Sequence, residues 1–152
     1  MQEIEGDLWS FWERGSWVVI TTNGTLNSKG QAVMGRGVAL EAKRRVPLLP
    51  QMLGHDLARN GLRVVHFYYL GIICFPTKGK DWRLPASLDL IERSAWSLAA
   101  LVNRYPLEIT TPVYMVRPGC GVGGLKWEDV RPIIAPVLDD RFIIVNKGDE
   151  TP

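Results

Sequence analysis

The most regular hydrophobic pattern in the chain is the stripe Leu90, Ile91, Ala95, Leu98, Leu101 and Val102, which predicts a helix from about Ser87 to Tyr105 with Ser87 as N-cap. Two shorter runs also read as helices. In "GVALEAKRRVP", Val38, Ala42 and Val46 fall four apart on one face and Pro47 stops the run, while "LPQMLGHDLARNG" ends at Gly61. "WEDVRPIIAPVL" predicts a short or bent helix, because Pro132 is tolerated only in a first turn and Pro136 inside a helix costs about 3 kcal/mol.

The strands announce themselves as β-branched apolar runs. "WVVITT", Trp17–Thr22, has glycines on both sides and reads as a buried strand. "VVHFYYL" and "GIICFP", Val64–Leu70 and Gly71–Pro76, predict a hairpin, and "TPVYMV" and "RFIIVN" supply strands ending near Val116 and Asn146. "EIEGD" predicts a short edge strand at the start. Strands alternating with helices, with the 64–76 pair breaking the alternation, predict an α/β sandwich around a central mixed sheet. One domain over residues 1–146 is expected, with 147–152 a flexible tail.

Composition narrows the function classes. With 46% hydrophobic and 22% charged residues among 152, the chain is neither disordered nor fibrous. No run approaches the roughly 18 apolar residues of a membrane span, and no basic, apolar leader opens the chain, so a cytoplasmic monomer without membrane contact is expected. Two cysteines and two histidines are too few for a disulfide framework, a four-ligand zinc site or a histidine-rich centre, so neither metal nor cofactor is expected. A net charge of +2 permits an anionic ligand but falls short of a dedicated nucleic-acid binder.

The chemistry concentrates in two glycine loops. In "RPGCGVGGLKW" Gly119, Gly121 and Gly124 satisfy G-x-G-x-x-G, yet the loop comes too late in the chain to open a dinucleotide-binding unit, and Asp139 and Asp140 precede the next strand instead of closing it. No G-K-[ST] follows, which excludes a Walker A loop. Consecutive glycines still allow close backbone approach and turn several N–H groups toward an anion, with the following helix adding its dipole; the plainer reading is a glycine-rich surface turn. A second loop, "NGTLNSKGQAVMGRGVA", also leads from strand to helix. Two such loops at the carboxyl ends of strands suit a diphosphate between them.

Taken in order, these segments resemble the macrodomain family, whose fold is a three-layer α/β/α sandwich that binds ADP-ribose. "EGDLW" resembles the family's adenine-binding segment, which implies binding roles for Asp7 and Leu8. "ITTNGTL" with "MGRGVA" resembles the asparagine segment and first phosphate loop, implying Asn23 near the distal ribose and Met34, Gly35, Gly37 and Val38 around the phosphates. "GCGVGGLKW" resembles the second phosphate loop, implying Gly119, Cys120, Gly121, Val122, Gly123 and Gly124. "CFPTKGKDW" resembles the segment of the DNA ADP-ribosyl glycohydrolase antitoxins, and of the related terminal ADP-ribose protein glycohydrolase, in which the lysine after threonine is catalytic.

That lysine corresponds to Lys78, with Asn23 as its companion in catalysis. Trp82 falls four residues after Lys78 where the antitoxin pattern has three, which makes Lys80 a second candidate. Gly123 stands where the protein glycohydrolase has a catalytic aspartate. "GTLNSKGQAV" is longer than the antitoxin loop and is expected to cover the distal ribose, and so to bear on substrate choice there.

The resemblance implies an ADP-ribosyl hydrolase acting on an ADP-ribosylated target, plausibly DNA; the alternatives are a non-catalytic ADP-ribose reader and an ADP-ribose 1''-phosphate phosphatase. A lysine suits the hydrolase because burial lowers its pKa and leaves an amine able to attack an opened sugar or act as a base. Each residue also has a plainer reading: a solvated strand end for Lys78, a turn residue beside Gly24 for Asn23, a cap of the segment that begins at Leu8 for Asp7, and packing for Cys120 and Trp82.

Overall fold

The computed structural model describes residues 1–106 and 112–147. Six strands form one sheet: β1 (Gln2–Glu5), β2 (Val18–Asn23), β3 (Val65–Phe67), β4 (Ile72–Lys78), β5 (Val113–Met115) and β6 (Phe142–Asn146). Their spatial order is β1-β6-β5-β2-β4-β3, parallel throughout except that β3 runs antiparallel to β4. The sheet is therefore mixed, and its one antiparallel pair is the expected hairpin. Tyr68–Leu70 make a 3₁₀ turn within it, and Gly71 closes it at φ +67°, a conformation open to glycine at no steric cost.

Among the described residues, five helices cover the two faces: α1 (Leu8–Glu13), α2 (Gly37–Arg45), α3 (Leu49–Asn60), α4 (Leu88–Val102) and α5 (Trp127–Ile134). Alternation along the buried strands feeds two cores. Val18 and Ile20 of β2 join Leu8, Ala42, Leu49 and Leu53 on the α1–α3 side. Val19 joins Phe75, Ile91, Leu98, Ile134 and Phe142 on the α4–α5 side. The result is the expected three-layer α/β/α sandwich. Among the described residues no helix is long and apolar enough to cross a membrane.

α4 follows its stripe closely, with the Ser87 hydroxyl accepting from the Leu90 N–H at 3.2 Å as its N-cap. Two expectations need correction. α1 has no counterpart in the predicted elements, since its six residues are too few to display a stripe. Pro132 lies at the sixth position of α5, in the second turn; the helix bears the loss of one N–H there and stops before Pro136. Lys147, the first residue of the expected tail, follows β6 directly and donates to Glu41 Oε2 at 3.0 Å. The rest of that expected tail, 148–152, and the start of the expected strand at Thr111 lie outside the described residues.

Candidate functional site

A cleft of about 530 Å³ opens at the carboxyl ends of β2, β4, β5 and β6, within the ~300–1,000 Å³ range of small-molecule sites. Its floor is made of strand ends: Thr21, Thr22 and Asn23 from β2, Thr77 and Lys78 from β4, Val145 and Asn146 from β6. This is where open α/β sheets bind ligands, because the loops that leave neighbouring parallel strands diverge there.

One wall is the segment Val33–Ala39, which runs into α2. No side chain caps α2, and the first-turn N–H groups of a helix have no partner within it. Together with the helix dipole they favour an anion at Gly37–Ala39. The longer "GTLNSKGQAV" segment does not cover the cleft as expected. It folds into a small hairpin around Asn27, whose side chain accepts from the Lys29 and Gln31 N–H groups at 2.9 and 3.0 Å. The hairpin lies against α3, where a Cβ on Gly54 would collide with the Gly30 carbonyl oxygen. Of that segment only Val33 reaches the cleft lining.

The facing wall is the second glycine loop, Gly119–Gly123. Gly119 adopts φ +75°, and a Cβ there would stand 2.8 Å from Ile91 Cδ1. Gly121 has open space on its Cβ side, which leaves room for a ligand. Val122 bends across to the other loop, its Cγ2 lying 3.1 Å from a Cβ placed on Gly37, so the two loops meet over the cleft. The expected contribution of the following helix is absent. α5 begins at Trp127, away from the lining, and its first turn carries Glu128 and Asp129, which would repel an anion.

Gly123 is enclosed. A Cβ would lie 2.5 Å from Gly119 O, 2.8 Å from Gly119 Cα and 2.9 Å from Ala86 Cβ, while the Gly123 carbonyl accepts from the Ala86 N–H at 3.0 Å. This backbone has no room for an aspartate. Gly124, at φ +77°, turns the chain but stays outside the lining.

Lys78 and Asn23 are brought together by a bulge. Thr22 pairs with Pro76, yet Asn23 pairs with Lys78, so the register skips Thr77 and re-aims the end of β4. Pro76 is tolerated because it lies beyond Cys74, the last residue of β4 that pairs with β3. The Lys78 amine donates to the Trp82 carbonyl at 3.0 Å. Burial, reinforced by the Arg36 guanidinium, holds its pKa below that of an ordinary lysine. Asn23 is occupied on both sides of its amide: Nδ2 donates to the Val33 carbonyl at 3.0 Å, and Oδ1 accepts from the Thr25 N–H at 2.9 Å. It is both a cleft residue and a turn former. Lys80 is not among the lining residues.

At the other end Leu8 lines the cleft and Asp7 does not. The Asp7 carboxylate accepts from the Trp9 N–H at 3.1 Å, capping α1, and it borders a neighbouring open recess shared with Trp9, Glu41, Arg45 and Lys147. Glu41 and Lys147, paired at 3.0 Å, stand between recess and cleft. Cys120 lines the cleft, but burial pushes its thiol up to about 11, which keeps it protonated and argues against a nucleophile. The sequence reading missed Arg36, Thr22, Thr77, Arg117, Asn146 and Lys147 as lining residues. Thr22, Thr77, Arg117, Asn146 and Lys147 sit at or just beyond the carboxyl ends of strands, where only the rule that sites gather there could have marked them, and Arg36 is the N-cap residue of α2.

No family model matches the chain. The DNA ADP-ribosyl glycohydrolase of Mycobacterium tuberculosis is 34% identical over 116 residues, covering 70% of this chain and 31% of that protein. The chain thus spans about a third of that relative's length. The macrodomain of Mycobacterium tuberculosis DarG is 30% identical and superposes with a TM-score of 0.70 over 95% of both chains. Thermosipho africanus DarTG in complex with ADP-ribose, 20% identical, has the same fold, with a TM-score of 0.71 over 99% of this chain and 42% of that one. Sharing a nearly full-length superposition, this level of identity and the same layered sheet, the chain belongs to the macrodomain family.

Proposed function

We propose that the cleft binds ADP-ribose and that the protein releases it from a modified DNA base, with Lys78 as the catalytic residue. The observation that carries this is the position of Lys78: its amine, held below the ordinary lysine pKa, lies at a strand end between two loops suited to a diphosphate. The diphosphate would sit between the first turn of α2 and the Gly119–Gly123 loop, the adenosine toward Leu8 and the Asp7 recess, and the distal ribose toward Asn23 and Lys78. This assignment draws support from the ADP-ribose complex of a fold relative and from the activity for which the mycobacterial relative is named.

Cleavage at the anomeric carbon either builds positive charge on the ribose or opens it to an aldehyde. A neutral Lys78 amine can attack C1 of the opened ribose; the bond from C1 to the base nitrogen then breaks as that nitrogen takes up a proton, and water hydrolyses the resulting imine to free ADP-ribose and the lysine, whereas an ammonium cannot attack. No metal enters this scheme. The enclosed Gly123 favours a DNA-linked substrate over a protein ester, because the aspartate of the protein-directed enzymes has no room here.

The test incubates the protein side by side with thymidine-modified DNA, glutamate-modified protein and ADP-ribose 1''-phosphate. Release from DNA alone, or fastest from DNA, is the expected result. Binding of ADP-ribose with no release from any of the three would identify a reader instead. Titration calorimetry provides the control on ligand class: ADP-ribose should bind more tightly than NAD, and equal or reversed affinities would exclude the assigned ligand.

A further inference from the structure

The segment that follows Lys78 is a compact turn stabilised mainly from within. Asp81 Oδ1 accepts from the Arg83 N–H at 3.0 Å and from Arg83 Nε at 2.9 Å, and the Leu84 N–H reaches the Asp81 carbonyl at 3.2 Å. The turn carries Trp82, which lines the cleft and whose carbonyl accepts from the Lys78 amine.

Among the described residues, one hydrogen bond ties residues 80–85 to another loop: Thr25 Oγ1 donates to the Lys80 carbonyl at 2.8 Å. Thr25 is itself fixed from two sides. Its N–H donates to Asn23 Oδ1 at 2.9 Å, and its carbonyl accepts from the Val33 N–H at 3.0 Å. Beside it the Gly24 N–H donates to the carbonyls of both Lys78 and Gly79, at 3.1 and 2.8 Å, so the two loops lie edge to edge.

The geometry points to Thr25 as a positioning residue for Lys78: its hydroxyl holds the turn after β4, and with it the Trp82 carbonyl, against the lysine amine. Asn23 acts in the same chain of contacts by presenting Thr25. The charge acting on the amine comes from Arg36 at the start of α2. Asp81 and Arg83 are paired with each other, and Asn23 on the neighbouring strand is neutral. With the tie cut, the turn swings outward and the amine gains water. This inference rests on the assignment of Lys78 as the catalytic residue.

The experiment compares wild type, Thr25→Val and Thr25→Ser. Valine keeps the shape and removes the hydroxyl; serine restores it. Competitive acetylation of amines across pH, read by mass spectrometry on the peptide containing Lys78, reports the protonation midpoint of that amine without any turnover. The midpoint should rise toward the ordinary lysine value in Thr25→Val and return in Thr25→Ser. In parallel, kcat for ADP-ribose release should fall about three- to tenfold in Thr25→Val, the effect of one hydrogen bond, with KM within about twofold.

Equal midpoints in all three proteins would overturn the inference, as would a loss of kcat that serine does not restore. A wild type without turnover would refute the proposed function, while the acetylation midpoints would still decide the role of Thr25. If valine disturbs folding, Thr25→Ala supplies the same comparison.

Discussion

Asn23 and Lys78 are register partners at the carboxyl ends of neighbouring parallel strands, and each is already engaged by a loop: Asn23 by Val33 and Thr25, Lys78 by the Trp82 carbonyl. Neither side chain is loose. The site is pre-organised by bonds that a substrate would meet ready-made, which lowers the cost of ordering it on binding.

Acid–base behaviour follows from Lys78. Its pKa is lowered first by burial and then by Arg36, so the neutral amine becomes abundant at a lower pH than for an ordinary lysine. Release should therefore rise with pH through a midpoint below about 10.4, the free lysine value. Arg36→Gln should move that midpoint upward, because it removes a positive charge that disfavours the ammonium. A pH–rate profile of both proteins checks this, and a midpoint unchanged by the substitution would count against it.

Gly123→Asp should not give the protein the protein-directed chemistry. The added Cβ meets Gly119 O at 2.5 Å and Ala86 Cβ at 2.9 Å, so the loop must move. The expected cost is about 1–3 kcal/mol of stability, in the range of overpacking. Chemical denaturation and assays on both substrate types test this; a stable variant with new protein glycohydrolase activity would contradict it.

His66 gives the fold its own pH dependence. Both ring nitrogens are buried beside Trp17, Tyr68 and Tyr105, with no hydrogen-bond partner among the described residues, and burial lowers the pKa. The unfolded chain takes up this proton near pH 6.5, the folded one only at lower pH. Between those values the unfolded state binds more protons, so stability is full above about pH 6.5 and falls as the pH drops. His66→Phe should flatten this part of the curve. Urea midpoints of the two proteins between about pH 5 and 7.5 provide the check, and parallel curves would refute it.

Much of the fold was legible because its longest elements carry the strongest periodicity: α4 in its apolar stripe, and β2 and β4 in β-branched and apolar runs buried on both faces. α1 was illegible for a physical reason. Its six residues span fewer than two turns, so Leu8, Trp9, Phe11 and Trp12, which all pack on the α1–α3 side, do not recur often enough to display a stripe. The two glycine loops were visible in sequence because close backbone approach demands glycine. Their surroundings were not: the bulge that pairs Asn23 with Lys78, the Glu41–Lys147 ion pair and the tie from Thr25 to Lys80 each join segments far apart in sequence. Asp7 shows the limit of reading a residue type alone, since its carboxylate caps α1 whatever else it binds.

The central claim is that Lys78 in this cleft cleaves ADP-ribose from a DNA base. Its most direct test is single-turnover release from a thymidine-modified oligonucleotide by wild type and Lys78→Ala, with ADP-ribose affinity measured on both. The prediction is a loss of at least about a hundredfold in the release rate, on the scale of a removed acid–base or nucleophilic group, with ADP-ribose affinity within about threefold. Release at the wild-type rate by Lys78→Ala would contradict the account.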